Sequence, residues 1–185
     1  MSRIIVDSIR NSSAGSDGIT LSSDGKIAFP NNTGNILQVK QTVKLDSFST
    51  TSTTAVDVTG LSVAITPTST SSKILVMVSM AMGNDDANFV YGILKRGSTQ
   101  IGEADGASNR PRPTFMCYDA NEGIMHMKSF TFLDSPNTTS STTYKMQLQC
   151  ASTGTATVGK SFRDQDTVQF DPRCSSTITV QEVAA

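Results

Sequence analysis

Apolar and polar residues alternate with a period of two in most of the chain after residue 35, and this alternation predicts β-strands with one buried face. In "TTYKMQLQCA" the residues expected to point inward are Tyr144, Met146, Leu148 and Cys150. In "ILQVKQTVKL" the apolar face is formed by Leu37, Val39, Val43 and Leu45. Gln41 interrupts that face, so we expect it to have a hydrogen-bonding partner or to lie in an interface.

The stretch "KILVMVSMAMG" is apolar on both faces. One face carries Ile74, Val76, Val78, Met80 and Met82, and the other carries Leu75, Met77, Ser79 and Ala81. A strand that is covered on both sides has this pattern. The second cover is expected to be either another sheet or another subunit.

Turn signals such as "VTG", "GNDDAN" and "DSPNTTSS" separate the apolar stretches, and no window has the periodicity of an amphipathic helix. Short strands of this spacing are typical of an antiparallel β-sandwich. The sequence therefore predicts an all-β fold, with a jelly-roll-like β-sandwich over residues 35–185.

Residues 1–34 have a different organisation and end in the turn-rich linker "FPNNTGN". In "RIIVDSIRNSSAGSDGITLSSDGKIAF", Gly, Ser and Asp interrupt the apolar residues too often for a core of its own. We expect an extended segment that wraps around two other copies of itself, docks into another protein, or lies across its own sandwich. Its predicted interface residues are Ile4, Ile5, Ile9, Ile19, Leu21, Ile27 and Phe29.

Net charge, the length of the apolar runs and the cysteine spacing indicate which kinds of partner are not expected. The formal net charge of −1 argues against a general nucleic-acid binder. No apolar run reaches the length of a transmembrane helix, so membrane insertion is not expected. The three cysteines have no metal-like spacing and are expected to be free thiols.

The most specific chemical motif is "GTATVGKS", residues 154–161, a formal match to the phosphate-binding loop G-x-x-x-x-G-K-[ST]. In such a loop the backbone amides and the lysine hold phosphates at the start of a helix. Here the interior residues are β-forming, and no helical pattern follows them. We therefore interpret the match as coincidental and predict a hairpin tip.

The remaining candidates also have simpler interpretations. His126 lies between Met125 and Met127, but on a strand those two side chains point away from it, so a partly buried strand histidine is favoured over a copper site. The acidic clusters at Asp85 and Asp86, at Glu103 and Asp105, and at Asp164, Asp166 and Asp171 are interpreted as solvated turn residues. A loop calcium site remains open. No catalytic, cofactor-binding or metal-ligating residue is predicted.

A longer segment resembles a known family. "GNILQVKQTVKLDSFSTTSTTAVDVTGLSVAITPTSTSSKILVMVSMAMGN", followed by "YGILKRGSTQIG" and a closing "ITVQEV", is similar to fibre and virion structural proteins of tailed phages of marine bacteria, including cyanophages. "VDSIRNSS" and "DGITL" resemble the region that often precedes that domain.

The resemblance implies a jelly-roll-like knob assembled as a homotrimer in a phage virion, without enzymatic activity and without a cofactor. The expected role is a short tail fibre made in the host cytoplasm, attached to other virion proteins through its N-terminal segment. Its knob is expected to contact the host surface, including surface glycans, through loops containing Asn84, Asp85, Asp86, Arg110 and Arg112. A head fibre or capsid decoration protein is the alternative within this class, and a carbohydrate-binding module is the alternative from another class.

Overall fold

The computed structural model describes residues 8–9, 19–21, 27–28, 34–85, 88–166 and 169–185. The first three ranges are short strands whose side chains are outside the description: β1 (Ser8–Ile9), β2 (Ile19–Leu21) and β3 (Ile27–Ala28). They pair antiparallel in the order β1-β2-β3. The predicted interface residues Ile4, Ile5 and Phe29 lie outside the described residues, and the role of this segment stays a prediction.

All other regular elements of the described chain are also β-strands, as the period-two pattern predicts. They are β4 (Ile36–Lys44), β5 (Phe48–Thr50), β6 (Val56–Ile65), β7 (Lys73–Asn84), β8 (Val90–Arg96), β9 (Thr99–Gln100), β10 (Phe115–Cys117), β11 (His126–Asp134), β12 (Thr142–Cys150), β13 (Ala156–Val158) and β14 (Ser176–Val183).

These strands form two antiparallel sheets. The smaller sheet has the order β10-β8-β12-β6, with β9 beside β8. The larger sheet has the order β4-β14-β7-β13-β5, with β11 beside β7. From β6 to β8, and again from β11 to β13, successive strands alternate between the two sheets. The predicted β-sandwich is therefore confirmed.

The core lies between the sheets and consists of the inward side chains of their central strands. Ile74, Val76 and Met80 of β7 are 0% exposed, as are Tyr144 and Met146 of β12. Two further predicted inward residues of β12, Leu148 and Cys150, are also fully buried, so the predicted orientation of β12 is confirmed.

The predicted orientation of β4 is wrong. Val39 and Val43, predicted to be buried, are 52% and 47% exposed, whereas Lys44, which belongs to the predicted polar face, is only 3% exposed. The physical reason is that the polar side of β4 faces β6 at the edge of the sandwich. Thr42 Oγ1 donates a hydrogen bond to the carbonyl of Ser62 at 2.7 Å, and Lys44 Nζ is 2.9 Å from the carboxylate of Asp46.

The prediction of a hairpin tip at residues 154–161 is also wrong. β12 belongs to the smaller sheet, but β13, which lies inside the motif, pairs with β5 and β7 of the larger sheet. The intervening residues therefore cross from one sheet to the other. The interpretation that no helix follows the motif agrees with the described residues up to 166.

Candidate functional site

The outer surface of the larger sheet carries a face of β4, β14, β7 and β11 residues in which three neighbouring rows have no charged side chain. Lys73 of β7 lies on the same side just beyond the Leu75 row, where its Nζ donates to Ser135 Oγ at 2.8 Å. Strand register aligns the residues of this face in rows, since directly paired residues of antiparallel strands point to the same side. The rows are Val43–Thr177–Ser79–Ser129, Gln41–Thr179–Met77–Thr131 and Val39–Gln181–Leu75–Leu133, flanked by Leu37, Leu45, Ala81 and Met127. We call this set the uncharged face.

Many of its large apolar side chains are open to solvent. Leu45 is 79% exposed, and Met127 and Leu133 at the opposite edge are 52% and 53% exposed. Groups of exposed large apolar side chains often mark interaction sites in soluble proteins. On the second apolar side of β7, Leu75 and Met77 are half-buried and Ala81 is buried. Whether another sheet or another subunit covers Leu75 and Met77 stays a prediction.

The size of the uncharged face follows from strand geometry. From Leu37 to Leu45 it extends about 27 Å along the strands, and four strands span about 19 Å. The flat projection is about 500 Å². Contact with an equal area of a second chain would remove about 1,000 Å² from water, which reaches the lower bound of a specific interface.

Gln41 lies in the middle row of the uncharged face. Its Nε2 donates a hydrogen bond to Thr179 Oγ1 at 2.7 Å. The expectation of a hydrogen-bonding partner is thus confirmed, and the pair joins the edge strand β4 to β14. The interface role of Gln41 stays a prediction, but its exposed position within this face agrees with it.

A buried carboxylate directly inside the sheet fixes the position of β4. Glu182 is 0% exposed, and its Oε1 accepts hydrogen bonds from the backbone N–H and the hydroxyl of Thr68 at 2.6 and 2.7 Å. Gln38 Nε2 donates to Oε2 at 2.6 Å. Burial alone would raise the pKa of Glu182, but these hydrogen bonds outweigh burial and lower it.

The outer surface of the smaller sheet is the natural comparison, because it has similar geometry but different chemistry. Lys145 and Gln147 of β12 point outward there, and both hydrogen-bond Asp57 of β6 at 2.7 Å. Lys95 of β8 pairs with Lys145 on the same side. This polar, charged surface is suited to water, so the two sides of the sandwich differ in polarity and the uncharged face is not a general property of the fold.

The predicted host-contact residues do not form one surface. Asn84 is 1% exposed and its side-chain amide donates to the backbone oxygens of Asp85 and Asp119, so its assignment to a contact loop is wrong: it is a buried strand end. Asp85 is half-buried and accepts a hydrogen bond from the amide of Thr155 at 2.7 Å. Asp86 lies outside the described residues. Arg110 and Arg112 are exposed.

The residues of the phosphate-loop motif are occupied by internal contacts. Lys160 Nζ lies 3.1 Å from the carboxylate of Asp164, and Ser161 Oγ donates to Asp171 at 2.7 Å. Asp171 also receives a hydrogen bond from Arg163 at 2.8 Å. Its carboxylate is buried, so its interpretation as a solvated turn residue is wrong. The hydrogen bond from Arg163 is the main reason why the pKa of Asp171 is lowered.

His126 is a partly buried residue at the start of β11, as predicted. Its Nε2 lies 2.9 Å from Asp119 Oδ2, and the following Met127 points to the other side of the sheet. Within the described residues no three His, Cys, Asp or Glu side chains are grouped closely enough to hold a metal ion. Nor does the described part of the chain contain a helix long and apolar enough to cross a membrane.

The sequence pattern predicted that the apolar residues of β4, Leu37, Val39, Val43 and Leu45, are buried, and it left the cover of the second side of β7 open. The signal was present in the strand β7, whose two apolar sides required two covers. Strand register was the missing information, because only register places Leu37, Val39 and Val43 beside β14 and on the same side as Met77.

The chain resembles solved viral structures only at low similarity. No described protein family matches the sequence, and no curated protein matches it. Among solved structures, the chain resembles one from the infectious bursal disease virus Gt strain, with a TM-score of 0.40, 12% identity and coverage of 96% of this chain and 47% of that one. A second is the VP2 subviral particle of infectious bursal disease virus, with a TM-score of 0.38, 12% identity and coverage of 90% and 42%. The chain thus spans less than half the length of these structures, and at such similarity no function is transferred.

Proposed function

We propose that this chain is a non-enzymatic structural protein of a phage virion, a short tail fibre whose knob is a homotrimer. The observation that supports the proposal is the uncharged face, where large apolar side chains of the edge strands β4 and β11 are exposed beside the hydroxyl and amide side chains of an otherwise well-packed sandwich. The sequence resemblance to phage fibre proteins supports the same assignment.

The proposed assembly places three copies around one axis with their uncharged faces turned inward. Leu133 and Val39 lie at opposite edges of this face, so each copy offers apolar contacts to both neighbours. The polar surface around Asp57 and Lys145 then faces outward into water. Burial of apolar side chains provides the driving force, at about 25 cal/mol per Å² of apolar surface.

A trimer also gives the knob a mechanism for attachment. Three identical chains present the same surface loops together, so weak individual contacts with a host surface reinforce one another through their effective concentration. The N-terminal segment, residues 1–34, attaches the knob to other virion proteins in this proposal. The location of the chain in the virion separates these assignments. A tail fibre lies on the tail, whereas a head fibre or a capsid decoration protein lies on the head.

Light scattering on the purified full chain tests the assembly. We expect a mass of about three times 19.6 kDa at micromolar concentration. A monomer at high micromolar concentration, or a stable dimer, would contradict the trimer. An averaged image of the intact virion tests the location, and absence of the chain from the tail would refute the tail-fibre assignment.

A matched pair of substitutions tests the interface. Thr131 on β11 and Thr143 on β12 are both exposed strand threonines, but only Thr131 belongs to the uncharged face. Thr131→Glu should dissociate the trimer because β11 is an edge of the face, so a carboxylate without a partner would be buried at each of the three contacts between neighbouring copies, which costs several kcal/mol. Thr143→Glu should leave the mass unchanged. An equal effect of both substitutions, or no effect of Thr131→Glu, would assign the contact to another surface.

Deletion of residues 2–30 tests the N-terminal segment. The sandwich should remain folded, because its core lies in the part of the chain after residue 34. The truncated chain should show weaker trimerisation or weaker attachment to the virion. If neither changed, the proposed role of this segment would be wrong.

A further inference from the structure

A second surface feature lies on the opposite side of the molecule, where the segment 111–113 crosses the outer surface of the smaller sheet. Ile93 of β8 points outward there, yet it is only 7% exposed because this segment covers it. The crossing leaves a groove of about 230 Å³. Its lining residues are Tyr91, Ile93, Gln100, Pro111, Arg112, Pro113 and Gln149.

The groove is held in shape before any ligand arrives. Gln100 Nε2 donates to the backbone oxygen of Arg112 at 2.6 Å, which ties the crossing segment to β9. The Thr114 amide donates to the Gly92 oxygen at 2.9 Å, which ties the same segment to β8. Pro111 and Pro113 each have a fixed φ angle, so the segment between these ties has little freedom.

Several polar groups on the wall have spare hydrogen-bonding capacity. Gln149 Nε2 donates to the Thr53 oxygen at 2.9 Å, which holds this amide in place while its Oε1 has no partner among the described residues. The same is true of the Oε1 of Gln100, and the Tyr91 hydroxyl has no partner within the described chain either. The wall therefore offers fixed acceptors and a hydroxyl beside an aromatic ring.

We propose that this groove binds an uncharged saccharide unit. A sugar ring has hydroxyls that both donate and accept hydrogen bonds, and an apolar C–H side. The amides and the Tyr91 hydroxyl match the hydroxyls, while the Tyr91 ring and the two prolines match the C–H side. A volume of about 230 Å³ is smaller than a drug-sized pocket of about 300 Å³ or more, so it accommodates one ring at a time.

The charges on the wall favour a neutral ligand. Arg112 Nη2 lies 3.2 Å from the carboxylate of Glu103, and its Nη1 donates to the Ala104 oxygen at 3.3 Å. The cation is therefore already compensated by an anion of the same chain. Its remaining N–H groups can still donate to a sugar hydroxyl, but an acidic sugar would meet the negative charge of Glu103.

This inference rests on a different surface from the proposed trimer interface, so either can fail without the other. One ring in an open groove gives weak binding, in the millimolar range. Three copies in one knob would strengthen binding to a multivalent surface glycan. The monosaccharide experiment below measures the single groove and needs no assembly.

Saturation-transfer NMR on the full chain tests the proposal with four probes: the methyl glycosides of glucose, galactose, mannose and N-acetylglucosamine. We expect at millimolar concentration that at least one receives magnetisation, most strongly at the ring C–H protons. Tyr91→Ala and Gln149→Ala should each weaken this signal by about tenfold.

Matched controls separate the groove from non-specific contact. Tyr118, which is 46% exposed, and Gln147, which bonds Asp57, are not part of the groove, so Tyr118→Ala and Gln147→Ala should leave the signal unchanged. Tyr91→Phe retains the ring and should retain part of the binding if folding is unaffected. Absence of transfer to all four probes, an undiminished signal in Tyr91→Ala and Gln149→Ala, or tighter binding of methyl glucuronide would overturn the proposal.

Discussion

The buried carboxylate of Glu182 provides the strongest test of how the larger sheet is held together. Glu182→Gln preserves the shape of the side chain but replaces one carboxylate oxygen with an NH₂ group. If the remaining oxygen keeps the two hydrogen bonds from Thr68, the new NH₂ faces Gln38 Nε2, and two donors are left without an acceptor. Hydrogen bonds to a charged group contribute about 1.5–3 kcal/mol each, against about 0.5–1.5 kcal/mol for neutral ones.

The expected loss of unfolding free energy for Glu182→Gln is about 2–3 kcal/mol, since removing the buried charge also relieves part of its desolvation cost. For a chain of 150–250 residues this corresponds to a fall in Tm of roughly 4–12 °C. Urea unfolding at neutral pH measures this loss of unfolding free energy. The protein concentration is kept fixed, because the stability of an oligomer depends on concentration. Glu122→Gln on the exposed surface is the control and should change stability by less than about 0.5 kcal/mol.

The same carboxylate predicts a pH dependence. The folded-state pKa of Glu182 is lowered from its ordinary value of 4.5, so the folded chain favours the ionised form. Its stabilisation is fully present above pH 4.5 and is lost as the pH falls through the lowered pKa. The stability difference between Glu182→Gln and the parent chain should therefore shrink in acid. A difference below about 0.5 kcal/mol at neutral pH, or one that grows in acid, would refute this account of the site.

Two further predictions concern other parts of the sandwich. Gly92→Ala should destabilise the chain by about 1–3 kcal/mol in urea unfolding, because the new Cβ would overlap the Phe115 ring, whereas Gly106→Ala meets no atom within 4 Å and should have little effect. Equal effects of the two substitutions would contradict the packing argument. Magnesium and ATP at millimolar concentration should not raise the Tm of the parent chain or of Lys160→Ala, because Lys160 and Ser161 already contact Asp164 and Asp171. Micromolar ATP binding would show that the phosphate-loop interpretation was dismissed wrongly.

The candidate interface shows how far a sequence pattern can be interpreted. The two apolar sides of β7 indicated a second cover, and the sequence left open whether a sheet or a subunit provides it. The structure places Leu75 and Met77 half-buried on the outer side of the larger sheet, in the face that the proposal assigns to contacts between subunits. The sequence did not predict the groove, because Tyr91, Arg112 and Gln149 are far apart in the chain. They come together only through the pairing of β8 with β12 and through the segment 111–113 that crosses the sheet.

The sequence by itself determined the strand-rich character of this protein and the inward side of β12, because a period of two and local turn residues are properties of neighbouring residues. It could not determine which side of β4 is buried. Alternation identifies two faces, but only the neighbouring sheet decides which one turns inward. In β4 the polar face turned inward, where Gln38 and Thr42 hydrogen-bond to the carbonyls of Thr66 and Ser62. The apolar face of β4 therefore lies on the surface, where it forms part of the candidate interface.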